Sequence, residues 1–352
     1  MRRVLAAGAA ALVTLLVAAG PMLACGGLIG PNGAVNLLRT TTFAGYHDGV
    51  EHYVTAFSFA GGGGRFGSII PLPGVPTSVE RGGDWTLQRL VRETTPIIDF
   101  AGETVAAPSS AKGVEVLLET KVDALDITVL RGGGDAVGAW ATEHGFRLPP
   151  DAPEVLDFYA SRSPIFLAAS FDADAAQARG QQIGDGTPVH ITIPTDNPWV
   201  PLRILALGKS EAEVVQADVY LMTDVKPSLF PNPILAGLHV DYDQAASDSL
   251  LSDLRADKGM EWVPESAWLT KIGIDISPKF LTYDLAVDAT GQGHPSAIAA
   301  GLVLNSFQQG SPTPPRNDGG IWRLIPGLFF ITSGVGFVAW LVVAKPAGAR
   351  PW

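Results

Sequence analysis

Near the C-terminus, Ile321 to Ala344 form an apolar run that carries one charge, Arg323. As a helix at ~1.5 Å rise per residue it spans roughly 36 Å, enough to cross a ~30 Å hydrocarbon core with some tilt. Arg323 lies close enough to the end to snorkel, and Trp322 and Trp340 sit where interfacial aromatics are expected. Pro326 and the glycines are tolerated in such a helix. The competing reading is a buried core helix, but too little chain follows to pack around it. Thr332 and Gly336 give only weak small-residue spacing for helix pairing.

The other end has the three parts of a secretory signal: Arg2-Arg3, an apolar run from Val4 to Ala19, and a small-residue exit at Ala24. A first membrane helix is the alternative, for which the run is short and broken at Gly20-Pro21. The arginine pair alone is poor grounds for twin-arginine export. Lys345 and Arg350 follow the C-terminal run on a tail without acids, which fits a cytoplasmic tail. The expected order is signal peptide 1–24, extracytoplasmic domain 25–307, stalk 308–320, transmembrane helix 321–344 and cytoplasmic tail 345–352. The expectation is a single-pass protein of the cell membrane, with the N-terminal domain outside the cytoplasm. The stalk reads QQGSPTPPRNDGG, which cannot bury a core.

Mean hydropathy is +0.22, and the excess is concentrated at the two ends. All 35 acidic residues but only 19 of the 24 basic ones lie in 26–320, a formal net charge of −16. That balance argues against nucleic acid and against anionic lipid headgroups as partners. The single cysteine, Cys25, excludes a disulfide within the chain. It stands directly after the expected cleavage point, so lipidation of Cys25 is one reading, and a free or intermolecular thiol is the other.

Within the domain, Val35 to Phe43 and Val50 to Phe59 flank Asp48-Gly49, a two-residue hairpin turn. Phe66 to Pro76 reads as a proline-punctuated strand that ends at a sheet edge or bends away. Strands are also expected at Val114–Leu118, Ile127–Leu130, Pro164–Phe171, Val189–Ile193, Leu202–Leu207 and Val214–Met222. Trp268–Ile276 and Phe280–Val287 read as a final strand pair. Helices are expected at Asp84–Glu93 with Asp84 as cap, at Asp135–His144 before a left-handed Gly145, from Asp151, and at Ser247–Lys258. The mixture without strict alternation favours α+β, with mixed, largely antiparallel sheets and a few short helices.

Several segments then occur in a telling order: ACGG (24–27), the Asp48-Gly49 hairpin, SIIPLPGVP (68–76), AWATEHGFRLP (139–149), IFLAASF (165–171), VPLRI (200–204) and DVYLMTD (218–224). Together they resemble a bacterial family of exported proteins, domain of unknown function 2330, over most of residues 24–290. The resemblance implies a signal peptide and often a C-terminal membrane helix. It also implies, for many members, a second cysteine soon after the first; this chain lacks one, so any family disulfide is absent. It carries no activity and no functional residues across.

No His-Glu-x-x-His, Gly-x-Ser-x-Gly, P-loop or paired-cysteine motif is present. His47 and His52 flank the hairpin turn with Glu51 between them, a conceivable surface metal site. Strand alternation is expected to put the two histidines on opposite faces. His144 reads as a packing residue. Asp241/Asp243 and Asp172/Asp174 invite calcium but lack the glycine and closing glutamate of an EF-hand. Gly61 to Gly64 lead into a strand rather than a helix, so a phosphate cradle is not expected. No catalytic, metal or cofactor residue is assigned, and oligomeric state is left open. The expected function is a non-enzymatic cell-envelope binding or scaffolding domain with an envelope partner or ligand; the alternative is an envelope hydrolase using dispersed carboxylates.

Overall fold

The computed structural model describes residues 22–23, 27–30, 33–34, 39–58, 65–94, 115–178, 180 and 186–302. Most of the expected signal peptide, Cys25, Gly61–Gly64, the stalk, the transmembrane segment and the tail lie outside them. Among the described residues no helix is long and apolar enough to cross a membrane.

Among the described residues the architecture is α+β, with three sheets. The main sheet runs in the order β15 (His239–Ala245), β16 (Trp268–Ile276), β13 (Val215–Thr223), β4 (Arg39–His47), β5 (Val50–Ser58), β11 (Gly186–Pro194) and β7 (Ser78–Arg81). Its pairs are antiparallel except that β13 and the short β1 (Met22–Leu23) lie parallel to β4. The second sheet runs β3 (Gly33–Ala34), β2 (Gly27–Gly30), β6 (Arg65–Pro71), β10 (Ile165–Asp172), β9 (Leu125–Arg131) and β8 (Glu115–Val122). A small sheet joins β12 (Trp199–Val200), β17 (Leu285–Asp288) and β14 (Ser228–Phe230).

Alternation gives each large sheet two buried faces. The inner faces meet in one core: Tyr53, Ile191, Val219 and Ile272 of the main sheet share it with Ile70, Val129 and Leu167 of the second. Outside the main sheet, Phe43, Val54 and Tyr220 pack on α1 (Thr86–Thr94) and α5 (Asp248–Ala256). Outside the second sheet, Leu130, Phe166 and Ala168 pack on α2 (Gly134–Glu143) and α3 (Ala152–Ala160), and the short α4 (Ala173–Ala178) follows β10. Strands buried on both faces read as continuous apolar runs, as β10 does.

Local signals set several elements where they were expected. Asp48 and Gly49 both take positive φ, 50° and 77°, as a mirror-image hairpin turn requires. Gly145 follows α2 at φ 83°, and Ser247 caps α5 by accepting from the Leu250 N–H. Other expectations need correction. Leu202–Leu207 is not a strand: Arg203–Ala206 is a 3-10 turn. Trp268–Ile276 and the chain after Phe280 do not pair; β16 joins the main sheet and β17 the small one. β6 lies inside its sheet, between β2 and β10, and its prolines end it rather than place it at an edge. The cap of α1 is not Asp84, which pairs with Arg81. The buried Asp257 takes that role, accepting from the Asp84 and Trp85 N–H groups and the Thr86 hydroxyl.

Candidate functional site

Strand β5 carries Glu51 and His52 side by side, so alternation sends them to opposite faces of the main sheet. Glu51 shares the inner face with Tyr53 and is 1% exposed. A small cavity opens against it, walled by Ala44 and Tyr46 of β4, Leu221 of β13, and Trp199 and Val287 of the small sheet. The cavity offers about 10 Å³ to the centre of a water molecule, room for roughly one water. Neither carboxyl oxygen of Glu51 has a hydrogen-bond partner in good geometry. Burial therefore pushes its pKa up to about 8; the Trp199 backbone N–H faces the carboxyl and pulls weakly the other way.

His52 faces outward. Its Nδ1 lies 2.9 Å from Nε2 of His190, and its ring stacks on Trp262 at 3.8 Å and 3°. The indole lies on Gly45, the residue paired with His52, and a Cβ there would collide with the ring. Burial drives both histidines down, His52 to about 3 and His190 to about 4; the His190 and His47 charges push His52 further the same way, while the Gly259 backbone and Glu261 oppose the fall of His190. Two neutral imidazoles sharing one proton fit the 2.9 Å contact.

The structure corrects the expected placement of His47 and His52. In a two-residue hairpin Gly45 pairs with His52 and His47 with Val50, so His47, Gly45 and His52 share one face. Glu51 is the odd one out, on the opposite face. His47 instead reaches Asp224, Nδ1 to Oδ1 at 2.7 Å. Asp241 holds Lys271 at 3.1 Å, and Asp243 accepts from Lys226, the Trp268 indole and Thr270. Among the described residues no three His, Cys, Asp or Glu side chains gather as a metal site would need. His144 stacks on Trp140 at 3.7 Å and bonds its carbonyl, Nδ1 to O at 2.6 Å.

A second fully buried carboxyl, Asp284, has a different setting. It accepts from the Leu202 N–H (2.7 Å), the Arg203 N–H (3.0 Å), the Tyr159 hydroxyl (2.8 Å) and Arg162 Nη2 (2.6 Å). Burial raises its pKa, and Arg162 and the other donors oppose that rise. Tyr159 in turn accepts from the Ile204 N–H, and Arg162 also donates to the Ala299 carbonyl. This arrangement bends Leu202–Leu207 away from a strand.

Sequence reasoning missed Asp284 and the setting of Glu51. Each had a signal. Asp284 interrupts the apolar run Leu281–Val287, and Glu51 has the same parity as the core residue Tyr53.

No curated protein matches the chain. Among solved structures, a mutated baculovirus P35 after caspase cleavage aligns over 72% of this chain and 98% of its own, at 7% identity and TM-score 0.37. P35 in complex with caspase-8 aligns over 71% and 90%, at 10% identity and TM-score 0.33. Likeness at these scores carries no argument about fold or function. The family model of DUF2330 matches residues 20–227, more than half of the chain. The chain belongs to that family, described as uncharacterized proteins conserved in bacteria.

Proposed function

We propose that the protein is an envelope binding domain, held to the cell membrane by residues 321–344, with its folded part outside the cytoplasm. The observation that supports binding is the turn after β14. Ile234 and Leu235 are 70% and 88% exposed on a turn whose backbone is well satisfied. The Ala236 N–H bonds Asn232 O, the Leu238 N–H bonds Pro233 O, and the Tyr283 hydroxyl bonds Ala236 O at 2.9 Å. Two adjacent aliphatic side chains held rigidly in water suit insertion into an apolar notch, since little ordering entropy remains to be lost. The acidic balance of residues 26–320 favours a protein partner whose notch is rimmed by basic groups.

The hydrolase alternative needs two carboxyl groups facing one substrate. The two fully buried ones do not offer that: Asp284 is committed to Arg162 and three further donors, and the Glu51 cavity admits only about one water.

A photoreactive side chain at Leu235 in intact cells tests the binding role. The expected result is one discrete adduct, absent when the probe sits at exposed Glu143 and lost with Ile234→Glu. Equal labelling from both sites would overturn the role assigned to the turn. Protease added to intact cells is expected to remove the domain and leave the tail; protection of the domain would overturn the topology.

A further inference from the structure

We propose that Glu51 is a proton-operated latch: its neutral carboxyl lets the small sheet seat on the main sheet, and its ionisation loosens that seat. The geometry carries the inference. Both oxygens are buried without a hydrogen-bond partner in good geometry, the Trp199 backbone N–H that faces them pulls only weakly, and the cavity against them is closed on one side by Trp199 of β12 and Val287 of β17. A neutral acid with one bridging water is tolerable there. A carboxylate is not, because the walls are mostly apolar and supply no cation.

The surrounding charges do not compensate. Among the residues that wall the cavity only Glu51 and Tyr46 titrate, and the Tyr46 hydroxyl is committed to the Thr195 carbonyl at 2.9 Å. Burial first, then Asp196, Glu51 and Asp224, raise the Tyr46 pKa, so the nearby charges are acids. On the next turn of the β17 side, Asp288 points to the Thr290 and His294 N–H groups. The hairpin's histidines, His47 and His52, belong to its other face, and His47 is held by Asp224. An ionised Glu51 can find water only if Trp199 and Val287 move off. The value of about 8 puts this change within a mildly alkaline range. Because β14 of the same small sheet leads into the Ile234–Leu235 turn, loosening would also disturb that turn; this last consequence rests on the binding role proposed above.

Hydrogen exchange of the full chain at pH 6 and pH 9 tests the latch without any partner. In the wild type at pH 9, Trp199–Val200 and Leu285–Asp288 are expected to exchange up to about a thousandfold faster than in Glu51→Gln, each pH unit between the exposed value of 4.5 and the buried value of about 8 being worth about tenfold. At pH 6, below the buried value but above the exposed one, the gap should be about a hundredfold smaller, and α5 should match at both pH values. Equal protection of the small sheet at pH 9 would overturn the latch, as would a difference spread evenly over the chain. If Glu51→Gln does not fold, the wild type alone decides: exchange of the small sheet relative to α5 must rise between pH 6 and 9, and a constant ratio refutes the latch. Tyr46→Phe should keep the transition; losing it would assign the proton to Tyr46 instead.

Discussion

Glu51 and Asp284 are both carboxyl groups removed from water, yet the fold treats them in opposite ways. Asp284 meets four donors from two separated parts of the chain, including a guanidinium stacked over Phe158, Tyr159 and Trp199. Glu51 meets a water-sized cavity and no donor in good geometry. Desolvation opposes both charges, so the difference lies in compensation. Asp284 organises structure: it holds the 3-10 turn, α3 and the last described segment together. Glu51 is a burden on the fold at neutral pH, and a burden of that kind marks a place where a protonation change can do something.

The largest effect should come from breaking the satisfied group. Asp284→Ala strands the Arg162 charge and three further donors, and is expected to lower stability by about 3–5 kcal/mol in denaturant titration. Arg162→Leu should cost a similar amount, and the double variant less than the sum of the two, because each partner's burial is harmful only when the other is gone. Strict additivity would break the contrast by showing that the pair is not coupled.

Glu51→Gln should do the reverse. The folded pKa of Glu51 lies above its unfolded value, so its stabilising share is full below about 4.5 and is lost as pH rises to about 8. At pH 7 the wild type forgoes roughly 3 kcal/mol that the glutamine does not. The variant is expected to melt higher at pH 7–8 and no higher at pH 4. A variant that is less stable at pH 8 would mean that Glu51 has a partner after all.

Much of this architecture was legible, and the reason is local. The β4–β5 hairpin, the α2 stop at Gly145 and the Ser247 cap depend on residues within a few positions of one another. The His47–His52 placement failed locally, because the two-residue turn resets strand parity, but the other failures involve distant partners. Leu202–Leu207 is apolar enough for a strand, but Asp284 and Tyr159 capture three of its N–H groups from 82 and 45 residues away. The start of α1 is capped from Asp257, 173 residues downstream of Asp84. Likewise the parity of β5 points Glu51 inward, while nothing in the chain near residue 51 says that Trp199 and Val287 will cover it.

The neighbour of Glu51 supplies an opposite titration on the other face of β5. His52 and His190 are held down to about 3 and about 4, so their contribution is present above the unfolded value near 6.5 and is lost as pH falls through that range. Between pH 7 and 5 the pair should cost about 1–2 kcal/mol, allowing for the partial exposure of His52. His190→Gln keeps a polar partner for His52 and should roughly halve that acid loss, read from melting temperatures at pH 5 and 7. An unchanged acid slope would assign it to other groups.

The smallest effect is expected at a third buried carboxyl, which lies between the two extremes. Asp257 is 2% exposed and, like Asp284, well supplied with donors, but two of the four are backbone N–H groups at the start of α1 and a third is the Thr86 hydroxyl there. Those bonds need an acceptor oxygen more than they need a charge. Asp257→Asn retains one such oxygen and gives up the attraction of an anion to the helix N-terminus, worth about 0.3–1 kcal/mol. Asp257→Ala removes both and should cost about 1–2 kcal/mol, with exchange rising in α1 before α2. If the asparagine were as damaging as the alanine, charge would be the essential contribution at Asp257. Buried carboxyls in this fold would then be ranked by ion pairing, rather than by how many donors surround them.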